Sequence, residues 1–222
     1  MNRLADMRCL GVTLCLLLTA VVVTVQAQQA APMPGDLYKM DPKPRQTGSF
    51  YENRVEIGVE SAQLFDISSK DPQYLVLPQF LAIHWQLDDI GNEGWLRGNT
   101  EFIFSGYFTP VVDGVESRYV GGLFGPRYNF VQPGWDWVPY IESRVGFGFT
   151  DSRANQRDKG QGQDFVFTFT VGIGAKYIIN DQFNFSIGAL YQHSSNGGLS
   201  EPSRENIGLD TIGPVFSLNY GF

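Results

Sequence analysis

An eight-stranded antiparallel transmembrane β-barrel is the fold this sequence predicts, on three observations. Apolar and polar residues alternate with period two in eight separate runs along the 222-residue chain, and a closed up-and-down barrel of this kind has an even strand count. The runs are roughly 9–11 residues long, which suits tilted strands crossing a bilayer. Their polar faces carry opposed charges, Arg54 with Glu56 and Arg144 with Glu142. An eight-stranded lumen is just wide enough for side chains of this kind to fill it without leaving a pore.

The elements follow in order. Arg3 and Arg8 precede an apolar run over residues 10–25 that ends in Gln26-Ala27, the pattern of a cleaved secretory signal peptide over residues 1–27. Both cysteines, Cys9 and Cys15, fall inside it, so the mature chain is expected to have no thiol, disulfide or cysteine metal ligand. Residues 28–48 hold Pro32, Pro34, Pro42 and Pro44 among small and polar residues, which reads as a mobile leader. The barrel is expected over residues 49–222, with its catalytic motif near the C-terminus.

The first strand is expected at 54–61, with Val55, Ile57 and Val59 on one face. The second, at 74–87, puts Leu75, Leu81, Ile83 and Trp85 on one side and His84 on the other. The third, 96–108, sets Phe102, Phe104 and Phe108 against Asn99, Glu101 and Ser105. The fourth, 118–129, is glycine-rich and its parity is open. The fifth, 138–150, sets Ile141, Val145 and Phe147 against Glu142 and Arg144. The sixth, from Phe165, alternates five apolar residues with Thr168, Thr170, Gly172, Gly174 and Lys176. The seventh, from Phe183, has its apolar residues at odd positions, and the eighth, ending at Phe222, at even ones.

Composition supports a barrel and excludes some partners. With 17 Phe, 10 Tyr and 25 Gly, hydrophobicity is spread thinly, and no stretch after the first segment reaches the ~20 apolar residues of a transmembrane helix. A net charge of −7 without a basic run argues against nucleic acid as a partner. His84 has no second histidine near it, and Asp88, Asp89 and Glu93 lack the dense oxygen spacing of a calcium loop. Neither points to a metal, and the acidic trio reads as a solvated turn.

Chemistry gathers at the end of the seventh strand. Residues two apart on a strand share a face, so His193 and Ser195 are neighbours, and Asp210 opens the eighth strand. By parity all three belong to the lipid-facing rows. With the N-terminus in the periplasm they lie at the extracellular rim, where an outward polar group costs only roughly zero to 1 kcal/mol. Serine, histidine and a carboxylate suit acyl transfer, with Ser195 as nucleophile, His193 as base and Asp210 orienting the imidazole. The side-chain amide of Asn196 and a backbone N–H in the Gly197-Gly198 turn are the candidate oxyanion donors.

The segment Tyr191-Gln192-His193-Ser194-Ser195-Asn196-Gly197-Gly198-Leu199, then Pro202, then Asn206-Ile207-Gly208-Leu209-Asp210 resembles the C-terminal signature of the lipid A 3-O-deacylases, the PagL family. The final Tyr220 and Phe222 resemble the terminal insertion signal of bacterial outer-membrane proteins. The family resemblance implies a cofactor-free outer-membrane esterase, monomer or homodimer, that takes lipid A of lipopolysaccharide as substrate and removes its 3-position hydroxyacyl chain. It implies Ser195 as nucleophile, His193 as base, Asp210 as acid, and Asn196 and Gly198 at the oxyanion positions.

The chain also departs from the family. The best-known members carry Glu where this one has Asp210, and Ser203, Arg204 and Glu205 look inserted, so Glu201 and Glu205 stay open as alternative acids. The stretches at 111–116 and 151–163 look long for the family. A non-catalytic barrel with a structural or adhesion role is the competing class. N-terminal sequencing of the exported protein should begin at Gln28; a start at Met1 would mean that the first apolar run is retained.

Overall fold

The computed structural model describes residues 49–68, 73–154 and 160–222; the expected signal peptide and leader lie outside the described residues. Ten strand segments follow in order: β1 (Val55–Ala62), β2 (Leu64–Asp66), β3 (Leu75–Val76), β4 (Gln79–Gln86), β5 (Asn99–Asp113), β6 (Arg118–Asn129), β7 (Trp137–Thr150), β8 (Phe165–Ile178), β9 (Phe183–Ser195) and β10 (Leu209–Gly221). The pairs β1/β2 and β3/β4 each make one interrupted stave. The barrel therefore has eight staves, all antiparallel, and β1 pairing with β10 closes it.

The interruptions have local causes. Pro78 has no N–H to give to a ladder, which separates β3 from β4. The N–H of Gln63 donates to the carbonyl of Pro214 on β10. A Cβ at Gly213 would lie 1.9 Å from the Gln63 carbonyl oxygen, so only glycine lets the backbones approach this closely. The third strand starts later than expected, because Gly94–Leu96 form a short 3-10 turn. It also runs on through Asp113, so part of the 111–116 stretch that looks long for the family is strand. The carboxylates of Asp88 and Asp89 accept the backbone N–H groups of Thr100 on β5 (2.6 Å) and of Glu52 ahead of β1 (3.0 Å).

Polarity is inverted relative to a soluble sandwich. Ile57, Ile83, Phe104, Phe108, Ile141 and Phe147 stand exposed on the outer face, whereas Glu56, Glu60, Glu101, Glu142, Arg54, Arg127, Arg144 and Lys176 are buried inside. Four carboxylates thus meet four cations. Arg144 grips Glu60 with both terminal nitrogens at 2.8 and 2.9 Å and reaches Glu142 at 2.9 Å. Arg127 bonds Glu142 at 2.5 Å, Lys176 bonds Glu101 at 2.5 Å, and Arg54 bonds Glu56 at 3.1 Å. His84 lies among them, 3.2 Å from Glu101 and 3.6 Å from Glu60. The two pairs expected from the sequence, Arg54 with Glu56 and Arg144 with Glu142, both form.

The open parity of the fourth strand resolves with Tyr119, Leu123 and Arg127 inside and Val120 and Phe124 outside. Glycines on this strand and on β7, β8 and β9 make room for aromatic rings. A Cβ at Gly121 or Gly148 would meet the Tyr107 hydroxyl at 2.8 or 2.3 Å, and one at Gly174 or Gly188 the Tyr140 hydroxyl at 2.5 or 2.9 Å. The lumen is thereby filled by side chains, as an eight-stranded barrel allows.

At one end lie the start of β1 and the end of β10, and all four tryptophans, Trp85, Trp95, Trp135 and Trp137, are exposed there. The opposite end closes over an apolar cluster that includes Leu64, Tyr74, Phe80, Tyr119, Leu190 and Leu209. With 13 residues, β9 is about 41 Å long at ~3.4 Å per residue, or about 31 Å along the axis at a ~40° tilt, enough for a hydrocarbon core of ~30 Å.

Removing Arg144 leaves Glu60 buried without its main partner and takes one of two arginines from Glu142, an imbalance that costs about 3–5 kcal/mol. Arg144→Met should lower the denaturant midpoint of the gel-shift transition between folded and unfolded barrel, and Glu60→Gln added to it should recover part of the loss.

Candidate active site

The register between β9 and β10 assembles the site. His193 and Asp210 are direct cross-strand partners, and His193 Nδ1 lies 2.8 Å from Asp210 Oδ1. Both side chains are on the outer face, 40% and 30% exposed. An ionised carboxylate only accepts hydrogen bonds, so Nδ1 carries the hydrogen and Nε2 holds the free lone pair. Tyr191, two residues before His193 on the same face, donates its hydroxyl to the same Asp210 oxygen at 2.6 Å. This is the diagonal contact that neighbouring antiparallel strands permit.

Ser195 continues the row. Its Oγ accepts the side-chain N–H of Asn206 at 2.9 Å and the backbone N–H of Gly197 at 3.1 Å. His193 and Ser195 are not hydrogen-bonded to each other, since two residues on one strand are separated by about 6.6 Å. Gly208 lies over both: a Cβ there would be 3.3 Å from His193 Cε1 and 3.9 Å from Ser195 Cβ. Its lack of a side chain leaves the imidazole room to turn towards Oγ. On the adjoining strand Phe167 is opposite Ser195 and Phe169 opposite His193, and both rings are exposed on the outer face.

Of the residues expected to act, Ser195, His193 and Asp210 come together on one surface. Asn196 does not join them through its side chain. The residue after the end of β9, it continues the inward row of even positions, and its buried amide donates to the Gln161 carbonyl at 2.5 Å and to Ser200 Oγ at 2.7 Å. The Gly198 N–H is held by Asn196 Oδ1 at 2.7 Å. Glu201 and Glu205 are exposed on the 196–208 loop, and the carboxylate beside the imidazole is that of Asp210. Two residues carried no expected role, Asn206 and Tyr191. Asn206 was within the motif, but only the return of the loop shows that its amide reaches Ser195.

Residues 79–219, which include every residue of the site, match the family model described as lipid A 3-O-deacylase (PagL). The chain belongs to that family. Among solved structures it is similar to the outer-membrane enzyme PagL, at 20% identity and a TM-score of 0.52, over 73% of this chain and 97% of that one; this likeness shows a shared barrel fold. It is also similar to the N-terminal β-barrel domain of Pseudomonas aeruginosa OprF (16% identity, TM-score 0.45, 77% of this chain and 98% of that one). Neisserial surface protein A matches at 12% identity and a TM-score of 0.47, over 76% of this chain and 96% of that one. No curated protein matches the chain. The outer-membrane character of this PagL-family barrel accords with its apolar exterior and charged lumen.

The mature chain is expected to keep both of the sequence's histidines, His84 and His193, so nitrogen NMR of labelled imidazoles can test the site directly. His193 should be the Nδ1–H tautomer in the wild type. Asp210→Ala should shift the His193 signals towards the Nε2–H tautomer and leave those of buried His84 in place.

Proposed function

We propose that this chain is an outer-membrane serine esterase that removes the 3-position ester-linked hydroxyacyl chain from lipid A of lipopolysaccharide. One observation carries the reading: His193 is hydrogen-bonded to Asp210 on the membrane-facing surface, with Ser195 Oγ next in the same outward row. A hydrolase for a soluble substrate has no reason to turn these groups towards lipid. An enzyme whose ester lies among acyl chains does. With the chain termini on the periplasmic side, the site lies at the extracellular rim, level with lipopolysaccharide in the outer leaflet.

The groups divide the work as follows. Ser195 Oγ attacks the ester carbonyl while His193 Nε2 takes its proton, and Asp210 holds the Nδ1–H and stabilises the imidazolium. Tyr191 fixes the carboxylate in that position. The oxyanion forms on the attacked carbon, two bonds from Oγ, and the Asn206 amide and the Gly197 N–H, which donate to Oγ in the resting site, are the donors near enough to turn to it and stabilise it. His193 then returns the proton to the departing sugar hydroxyl. Water, activated by the same imidazole, releases the fatty acid from Ser195. Phe167 and Phe169 flank the acyl chain. All these groups come from one chain, so monomer and homodimer serve the chemistry equally.

Purified protein incubated with lipopolysaccharide should yield lipid A lighter by one hydroxyacyl chain, read by mass spectrometry. Ser195→Ala should abolish the product, and Asp210→Asn should slow it roughly ten-thousand-fold, as loss of a triad acid does elsewhere. Intact lipid A with both wild type and Ser195→Ala would leave the non-catalytic barrel standing. A larger loss at Glu201→Ala or Glu205→Ala than at Asp210→Ala would reassign the acid.

A further inference from the structure

The outward site has an inward support that the chemistry above does not use. The last part of the loop between β7 and β8 turns into the barrel mouth, and Gln161 is fully buried there. Its side-chain amide donates to two carbonyls, those of Ser194 and Ile207, each at 3.2 Å. Ser194 lies between His193 and Ser195. Ile207 lies between Asn206 and Gly208. One amide therefore ties the strand end that carries the nucleophile to the loop segment that carries Asn206.

The backbone of Gln161 is held as firmly. Its carbonyl accepts the Asn196 amide at 2.5 Å, and its backbone N–H donates to Glu116 Oε1 at 2.8 Å. Glu116 is itself buried in the turn between β5 and β6, and its other oxygen accepts the hydroxyls of Tyr74 at 2.7 Å and Tyr119 at 3.3 Å. Beside Gln161, the Gly160 carbonyl takes the Ile207 N–H at 2.8 Å. Gly162 lies so close to the 196–208 loop that a Cβ there would be 2.3 Å from Ser200 Oγ.

We infer that Gln161, anchored by Glu116, is a positioning residue for the esterase site, setting the approach of the Asn206 amide to Ser195 Oγ from inside the barrel. The inference rests on the esterase reading above. Gln161 touches neither substrate nor reacting atom and acts only through the backbone on either side of them. It belongs to the 151–163 stretch that looks long for the family, which gives the extra residues a task at the site.

The test uses the full-length protein in detergent, with Gln161→Met as the variant and the gel shift of folded barrels as the check on folding. Loss of the tether should lower kcat about tenfold to a hundredfold, as a misplacement near 1 Å does, with KM within about twofold because substrate contacts are unchanged. The double variant Gln161→Met with Asn206→Ala should be no slower than Asn206→Ala alone, since both act on one group. Hydrogen exchange over residues 194–208 should quicken in Gln161→Met. Unchanged kcat, or losses that multiply in the double variant, would overturn the inference. If Gln161→Met does not fold, Gln161→Glu keeps the shape, cannot donate to both carbonyls, and is held to the same outcomes. Should wild type fail to turn over lipopolysaccharide, the esterase reading falls, and hydrogen exchange still decides whether Gln161 tethers the two segments.

Discussion

The ion-pair layer inside the barrel is the constraint on which the rest depends. Four carboxylates and four cations sit side by side in a space closed to water, and Arg144 bridges Glu60 and Glu142 at its centre. Buried charges of this kind are tolerated only when paired with good geometry. They lie on the inward face of β1, β5, β6, β7 and β8, and period two then sends every alternate residue of those strands outward, with β9 and β10 held in step by their pairing to β8 and β1. A slip of one residue in β5 or β7 would put a charge into lipid and a phenylalanine among the charges, so register is strongly specified. The outward placement of His193, Ser195 and Asp210 is a by-product of that rule.

Above this layer the lumen changes character. Tyrosine rings lie against glycines, and an apolar cluster fills the mouth, so the end of the barrel that bears the site is packed like a protein core. A core of that kind holds positions that a mobile loop does not. The 196–208 segment, although a connection between strands, is pinned from below by the buried amide of Gln161 and by the carboxylate of Glu116 beneath it. The site is thus outward-facing in its chemistry and inward-facing in its support.

Much of this was legible in the residues, because period two needs no tertiary information. The alternation of Phe165 to Ile173 with Thr168, Gly172 and Lys176 identifies a strand and its two faces at once. The parity of His193, Ser195 and Asp210 follows from the same count. The glycine-rich strand around Gly121 and Gly122 was not legible, since glycine marks no face until Tyr107 is seen to lie against it. The strand break at Gln63 was also hidden, because it depends on Pro214 and Gly213 far along the chain. Asn196 looked like a donor beside Ser195 by adjacency. Strand geometry turns it inward, and the amide that reaches Ser195 comes from Asn206, eleven residues on, through a loop whose path no local pattern specifies.

The four tryptophans at the far end of the barrel have a consequence for the site they never touch. Indole rings settle at the boundary between hydrocarbon and headgroups, so they act as a waterline painted on one end of a rigid cylinder. The height of Ser195 above that line is fixed by the strands and cannot adjust to the lipid around it. On the proposed esterase reading, bilayer thickness then becomes a selector: a membrane whose glycolipid esters lie at that height presents them to the serine, and a thicker or thinner one carries the same bond past it.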